Sequence, residues 1–250
     1  MSEVIEFIGP PGAGKSTVYS GLVKKWRKSY TWAPVGHFLP VINKLNSGTS
    51  GFWELQLRKL LRRPVYSRHL ITNHAYEFLG ENPHFVSLCW DLIARNRKVD
   101  HLGVDNRFRS AYYLFSVFGN YQAIRHSSDP RICFTDELLV QRVIQITKEN
   151  IDASELGSFA DSVPLPRAIV HLDAPAGSLA ERLLKRKRQI VRHRSLQPEQ
   201  LYELSQLDKT RFQIVANLLE KRGMVILNVD TKKSTVAECV EQIFDFLNNK

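Results

Sequence analysis

Short apolar runs alternate along this chain with longer amphipathic stretches, a pattern typical of an α/β protein. The first run, residues 4–8, predicts a buried strand, and Val18, Leu22 and Trp26 recur at helical spacing directly after it. Further strands are predicted within 30–39, 131–137, 168–172 and 224–229. Alternating strands and helices predict a three-layer sandwich around a mostly parallel, five-stranded sheet.

Between the second and third predicted strands the helical period dominates. Turn signals divide this part of the chain into predicted helices at 52–63, 65–79, 84–99 and 105–126. Other helices are predicted at 16–29, 138–148, from about 177 onward, at 198–222 and at 235–247, whereas 152–161 is interpreted as a short connecting segment. We expect most aromatic side chains of these helices to lie in the core.

The segment between the first strand and the first helix matches the phosphate-loop pattern G-x-x-x-x-G-K-[ST] without a mismatch. Its glycines allow several backbone N–H groups to point at one anion, at the positive end of the following helix. Lys15 is expected to reach the β- and γ-phosphates, and the Ser16 hydroxyl is expected to bind Mg²⁺. The sequence therefore predicts ATP and Mg²⁺ as cofactors. The predicted nucleotide-binding residues are Gly9, Pro10, Pro11, Gly12, Ala13, Gly14, Lys15, Ser16 and Thr17.

Two acidic residues, Asp136 and Glu137, end the third predicted strand. Ligands of open parallel sheets bind outside the carboxyl ends of the strands, where a Mg²⁺ bound to phosphates needs carboxylate or water-linked ligands. The alternative is that Glu137 only favours the N-terminus of the next helix through its charge. We favour a metal role for at least one of the two acids.

A dense basic run follows the fourth predicted strand. Its members are Arg182, Lys185, Arg186, Lys187, Arg188, Arg192, His193 and Arg194. Three interpretations stay open: a solvated basic face, a nucleic-acid patch, and a lid that closes arginines over a triphosphate. No aromatic residue interleaves with these cations, so base stacking is not offered there. The position of the run after a late strand favours the lid.

Composition and charge narrow the class of protein and the kinds of ligand that we expect. The 250 residues are 43% apolar and 24% charged, which fits one globular α/β domain with insertions. The net charge of +10 suits phosphate-bearing ligands or nucleic acid. Three widely spaced cysteines show no metal-ligand spacing, and neither a signal segment nor a membrane-length apolar run occurs. We therefore expect a cytoplasmic protein that does not insert into a membrane.

Taken together, these residues resemble the P-loop nucleoside and nucleotide kinases, with thymidylate kinases and deoxynucleoside kinases nearest in layout. The resemblance rests on the phosphate loop, on the acid-tipped strand, on the turn Leu172-Asp173-Ala174-Pro175 and on the spacing Arg182-x-x-x-Arg186-x-Arg188. It implies a single P-loop kinase domain over 1–250, with a helical acceptor-binding insertion at 40–126 and an arginine-rich lid at 182–197.

The resemblance also implies roles for individual residues. Lys15, Asp136, Arg182 and Arg186 would be catalytic, Arg188 would contact the nucleotide, and the metal would be bound by Ser16 with Asp136 or Glu137. The acid-tipped strand departs from the family pattern. Thymidylate kinases carry Asp-Arg-Tyr there and deoxynucleoside kinases Glu-Arg-Ser, whereas this chain has Thr-Asp-Glu-Leu and lacks that acceptor-binding arginine. The segment 105–109 could supply replacement groups.

The main hypothesis is therefore ATP- and Mg²⁺-dependent phosphoryl transfer to a small molecule, a nucleoside or nucleoside monophosphate, with Asp136 as the base for a hydroxyl acceptor. A non-nucleotide acceptor such as a sugar stays open. A nucleotide-gated NTPase or switch with a macromolecular partner is the second hypothesis, and a non-catalytic basic binding module the third. Nucleic acid is not the expected partner, and a homodimer is an open alternative for the assembly.

Overall fold

The computed structural model describes residues 2–39, 68–95, 106–146, 152–186 and 196–249. Within them, five strands form one sheet in which every neighbouring pair is parallel, in the order β2–β3–β1–β4–β5. The strands are β1 (Val4–Ile8), β2 (Trp32–Pro34), β3 (Ile132–Thr135), β4 (Ala168–Asp173) and β5 (Val225–Asp230). The predicted five-stranded α/β sheet is confirmed, and it is parallel throughout.

Helices connect the strands and cover both faces of the sheet. Their bounds are α1 (Lys15–Lys25), α2 (Val35–Phe38), α3 (Arg68–Glu81), α4 (Pro83–Arg95), α5 (Asn106–Arg125), α6 (Leu139–Ile146), α7 (Ala153–Ser162), α8 (Ala176–Leu184), α9 (Pro198–Lys221) and α10 (Val236–Asn248). None of the helices in the described ranges is long and apolar enough to cross a bilayer.

Alternate residues of the central strand β1 face two separate apolar layers. Ile5 and Phe7 pack with residues of α1 and α10 on one face. Val4 and Ile8 face the opposite layer, which contains residues of α3, α4 and α5 together with α6, α7 and α9. All five residues of β1 are buried, as expected for a strand covered on both sides. The predicted three-layer sandwich is therefore confirmed.

The first helix ends at Lys25 instead of residue 29, and two further local predictions differ from the structure. The predicted strand within 30–39 is shortened to Trp32–Pro34 and runs into the helical turn Val35–Phe38. Proline has no N–H for a ladder, and β2 accordingly lies at the edge of the sheet. The interpretation of 152–161 as a connecting segment was wrong, because Asp152 and Glu155 form a capping box that begins α7.

The helical insertion is described in part. The predicted helix at 52–63 lies outside the described residues, whereas α3, α4 and α5 correspond to the three helices predicted after it. Phe78 of α3 stacks on Phe118 of α5 with ring centroids 4.6 Å apart. The division into a kinase domain, an insertion at 40–126 and a lid at 182–197 stays a prediction; residues 40–67, 96–105 and 187–195 are not described.

Candidate active site

The phosphate-loop segment joins the carboxyl end of β1 to the first turn of α1. Its backbone turns back on itself, because Ala13 N–H donates to the carbonyl of Pro10 at 3.1 Å. Gly14 precedes the helix with φ 91°, and its carbonyl accepts from the N–H groups of Thr17 and Val18, each at 3.0 Å. The loop thus presents the amino end of an eleven-residue helix at the carboxyl edge of the sheet, where an anion is favoured.

Close packing against β4 and α8 explains two glycines of the loop. A Cβ on Gly9, which has φ 147°, would lie 2.1 Å from the carbonyl oxygen of Leu172. A Cβ on Gly12, with φ 88°, would lie 2.9 Å from the carbonyl oxygen of Leu179. Both positions combine a backbone conformation that favours glycine with a contact that admits no side chain.

Lys15 is buried at the start of α1 and folds back over the loop. Its Nζ donates to the carbonyl oxygens of Gly9 at 2.6 Å and Pro10 at 3.3 Å. The Nζ also lies 5.9 Å from the centre of the Phe212 ring on α9. Burial lowers the pKa of Lys15 to about 8, although the carboxylates of Glu137, Asp136 and Asp208 oppose this shift. The loop therefore contains a desolvated cation at the position where the motif predicts a phosphate contact.

The two acids after β3 have different partners. Ser16 Oγ donates to Asp136 Oδ2 at 3.3 Å, which brings together two of the predicted metal ligands. Glu137 instead forms an ion pair with Arg142 of α6, with 2.5 Å between Oε2 and Nη2. Burial, followed by the nearby charge of Glu137, raises the pKa of Asp136. Of the two acids, Asp136 is the one in contact with the phosphate-loop segment.

Glu6 is a site residue that the sequence reasoning missed. It lies in the centre of β1 with 1% of its surface exposed, and its carboxylate accepts from the backbone N–H groups of Leu138 at 2.9 Å, Val140 at 3.1 Å and Gln141 at 2.8 Å. The side-chain Oε1 of Gln141 in turn accepts from Gly9 N–H at 2.9 Å. Glu6 therefore fixes the turn that carries Asp136, and through Gln141 it fixes the first residue of the loop.

The pH dependence of stability tests this role of Glu6. Burial raises the pKa of Glu6 from 4.5 to about 7, against the opposing effect of the three N–H donors. Between these two pH values the folded state binds more protons than the unfolded state, so the contribution of Glu6 to the free energy of unfolding falls as pH rises, by about 3 kcal/mol in total. Urea unfolding of wild type and Glu6→Gln across this window should give profiles that diverge, since glutamine does not titrate. Parallel profiles would contradict the assigned titration.

Arg182 connects the phosphate-loop segment to the turn after β5. Its guanidinium donates to the carbonyl of Gly12 at 3.2 Å, to the Thr231 hydroxyl at 2.9 Å and to the Thr231 carbonyl at 2.7 Å. Arg186 is exposed beyond the end of α8, and its charge contributes to lowering the pKa of Lys15. The predicted catalytic roles of both arginines stay predictions. Arg188 lies outside the described residues.

Helix α9 adds a second set of residues that the sequence reasoning missed. Asp208 and Arg211 are buried side chains, one helical turn apart, and the charge of Asp208 raises the pKa of Lys15. Lys209 of the same helix pairs with Asp173 at the end of β4. The sequence signal that could have identified them is the occurrence of charged residues on the helix face that the spacing of Leu201, Phe212 and Val215 predicts to be inward.

The predicted replacement groups for acceptor binding lie at the start of α5. Phe108 and Arg109 are exposed there, and Asp105 is outside the described residues. Arg142 is another cation near the acid-tipped strand, because it pairs with Glu137. Its guanidinium also lies 6.0 Å from the centre of the Tyr113 ring of α5. A role for either group in acceptor binding stays a prediction.

Neither a protein-family model nor a curated protein sequence matches the chain. Solved structures similar to it include deoxyadenosine kinase from M. mycoides with bound dATP, at 17% identity and a TM-score of 0.49, which covers 98% of this chain and 99% of that one. The same enzyme with bound dCTP has 17% identity and a TM-score of 0.49 over 99% and 100% of the two chains. With the products dCMP and a flexible dCDP, the values are 16% and 0.49 over 99% and 100%. The site assignments for this chain therefore depend on its own residues.

Proposed function

We propose that this chain is an ATP- and Mg²⁺-dependent phosphotransferase that acts on a small-molecule acceptor, a nucleoside or a nucleoside monophosphate. The observation that carries the proposal is the contact of Ser16 with Asp136 at 3.3 Å beside the buried Lys15. A glycine-rich loop that matches the motif by chance is not expected to lie beside a helix amino end, a desolvated cation and a hydrogen-bonded pair of an acid and a hydroxyl. Assembly as a homodimer stays a prediction.

In this proposal the chain acts by positioning and charge stabilisation. The N–H groups of the loop and of the first turn of α1 bind the phosphate oxygens, and Lys15 moves from the carbonyls of Gly9 and Pro10 to the β- and γ-oxygens. A cation held in a desolvated site stabilises the charge of the transferring group more strongly than a cation in water. Arg186 and Arg188 would add charge from the basic run that follows α8.

The residues around Ser16 fit Mg²⁺, since a hydroxyl and a carboxylate are hard oxygen ligands. Ser16 and Asp136 would hold the ion, and Glu137 is the less suitable acid because Arg142 already pairs with it. Held by these two residues, Mg²⁺ would supply positive charge that neutralises part of the phosphate charge.

Asp136 is also the candidate base if the acceptor group is a hydroxyl. Its carboxylate lies beside Ser16 in the proposed phosphate site, where a carboxylate oxygen would take the proton of the attacking hydroxyl. A phosphate acceptor would need no base. Asp136→Asn should therefore reduce turnover of a hydroxyl acceptor through both proton transfer and the metal, but turnover of a phosphate acceptor through the metal alone.

A phosphate-transfer screen tests the proposed function. The full chain with ATP and Mg²⁺ is incubated with nucleosides, nucleoside monophosphates, sugars and small alcohols, and phosphorylated product is measured against background ATP hydrolysis. We expect product from a nucleoside or a nucleoside monophosphate. Steady hydrolysis without a phosphorylated product in any class would contradict the proposal and favour an NTPase or switch.

The pH dependence of ATP binding tests the role of Lys15 separately. Its folded pKa of about 8 means that Lys15 is charged at neutral pH and becomes neutral above pH 8. ATP affinity should therefore be maximal below pH 8 and fall by up to about ten-fold per pH unit above it. Calorimetric titration of wild type and Lys15→Met should show this decline in wild type alone. A decline of equal slope in Lys15→Met would contradict the assignment.

A further inference from the structure

A cluster of metal-ligand side chains lies where insertion helices α3 and α5 pack together. His74 and Glu77 lie three residues apart on α3, and His126 follows the last residue of α5. Oε2 of Glu77 lies 2.8 Å from Nδ1 of His74 and 3.4 Å from Nδ1 of His126. One ligand atom from each side chain fits within a 4.8 Å cluster. None of these residues belongs to the phosphate-loop site described above.

The two helices beside the cluster pack against each other. Next to Glu77, Phe78 stacks on Phe118 at 4.6 Å and meets Tyr121 edge-on at 5.6 Å, so the two helices share a buried aromatic contact. The N–H of His126 donates to the carbonyl of Gln122 at 2.9 Å, which continues the last turn of α5. The cluster therefore lies on α3 and on the turn that directly continues α5, next to a packed contact between the two helices, and a defined metal site needs such support.

We propose that His74, Glu77 and His126 bind a Zn²⁺-class transition-metal ion. Two imidazoles and a carboxylate are ligands that Zn²⁺ takes at about 2.0–2.2 Å, and a tetrahedral arrangement then places ligand atoms roughly 3.4 Å apart. The separation of 3.4 Å between Glu77 Oε2 and His126 Nδ1 matches that spacing, whereas the 2.8 Å to His74 Nδ1 would have to lengthen when the ion enters. Exposed fractions of 18% for His74, 48% for Glu77 and 35% for His126 leave the site accessible to an ion and to a water as fourth ligand.

Gln122 is positioned to support the metal-binding form of His126. Its Nε2 lies 3.2 Å from Nε2 of His126, and its Oε1 is buried without a hydrogen-bond partner among the described residues. If the Gln122 amide is rotated by half a turn, its Oε1 accepts from the Nε2–H of the His126 imidazole, and the hydrogen bond between the two side chains is kept. His126 then keeps a lone pair on Nδ1, the nitrogen that faces Glu77. Hydrogen bonding at the second imidazole nitrogen is the usual support of a metal-bound histidine.

The alternative is that the histidines only donate hydrogen bonds to Glu77, and metal titration separates the two cases. The metal-free full chain, without nucleotide, is titrated with Zn²⁺ by calorimetry and with Co²⁺ by visible absorption. We expect one equivalent bound through this site, a tetrahedral Co²⁺ spectrum, and a Zn²⁺-dependent rise in melting temperature. Absence of the Co²⁺ spectrum or of Zn²⁺ binding in wild type would overturn the proposal.

Variants assign the ion to this cluster. His74→Asn and His126→Asn should each weaken Zn²⁺ binding at least ten-fold, and Gln122→Met should weaken it by about ten-fold through loss of the supporting hydrogen bond. His84→Asn, at an exposed histidine of α4, removes a histidine outside the cluster and should bind as wild type does. Two independent ligand variants keep the test valid if one of them folds poorly. Equal affinity in His74→Asn, His126→Asn and His84→Asn would show that the ion binds elsewhere and would overturn the proposal.

Discussion

Gly9→Ala is expected to lower the free energy of unfolding by about 4 kcal/mol or more, the largest stability effect we predict. The new Cβ would lie 2.1 Å from the carbonyl oxygen of Leu172 and 3.2 Å from its carbonyl carbon, at a φ of 147°. Both contacts are to backbone of β4, which pairs with β1 at Ile8 and His171. Relief would require the two central strands to separate. Urea unfolding measured by circular dichroism checks the value.

Two other glycines serve as controls for this prediction. Gly14 has φ 91°, but a Cβ added to it would have no atom within 4 Å, so Gly14→Ala should cost only the backbone strain of roughly 1–2 kcal/mol. Gly157 lies in α7 with equally open space around its Cα, and Gly157→Ala should stabilise the protein by up to about 1 kcal/mol. If Gly9→Ala cost no more than Gly14→Ala, the strand contact would not be the cause.

Lys15→Ala is expected to lower kcat for phosphoryl transfer by about 10²–10³-fold, the largest effect on activity. The variant removes the buried cation that the proposed mechanism moves onto the β- and γ-oxygens. The charge of Lys15 is desolvated in the folded protein, which lowers its pKa to about 8. Removing this charge should therefore lower the free energy of unfolding much less than it lowers activity. Steady-state kinetics with the acceptor found in the screen, together with thermal unfolding, measure the two effects.

Lys24→Ala is the matched control for that experiment. Lys24 is an exposed lysine in the last turn of the same helix, away from the amino end where the proposal places the phosphates. Its removal changes the net charge by the same amount and should leave kcat within about two-fold. Unchanged turnover in Lys15→Ala would reject the proposed mechanism, and an equal loss in both variants would assign the effect to net charge.

The sequence predicted those features that depend on local residue order. The phosphate-loop segment is contiguous, its flanking apolar run identified β1 with its observed bounds, and the helical period identified α1 with an end four residues too late. Apolar runs identified the strands in the same way, because a parallel sheet buries them on both faces. The order of the strands follows from tertiary packing, and the residue pattern did not predict it.

Features that depend on distant residues were missed or incomplete. The carboxylate of Glu6 lies among N–H groups more than a hundred positions away, and only its place in an apolar strand signalled a special role. The contact of Arg182 with Thr231 likewise cannot be predicted from the spacing of residues along the sequence. By contrast, α7 was signalled locally by the Asp152–Glu155 capping box, a pattern that the sequence interpretation overlooked.

The hydrogen bonds from Gly9 N–H to the side chain of Gln141 and from Arg182 to the carbonyl of Gly12 have a thermodynamic consequence for ligand association. A cradle whose backbone is already anchored at two points loses little conformational entropy when a triphosphate arrives. Calorimetry should therefore show a small entropic penalty for ATP. Gln141→Leu removes the hydrogen bond to Gly9 and should make that penalty larger. It should also lower the association rate of ATP, although every group proposed to contact the phosphates is kept.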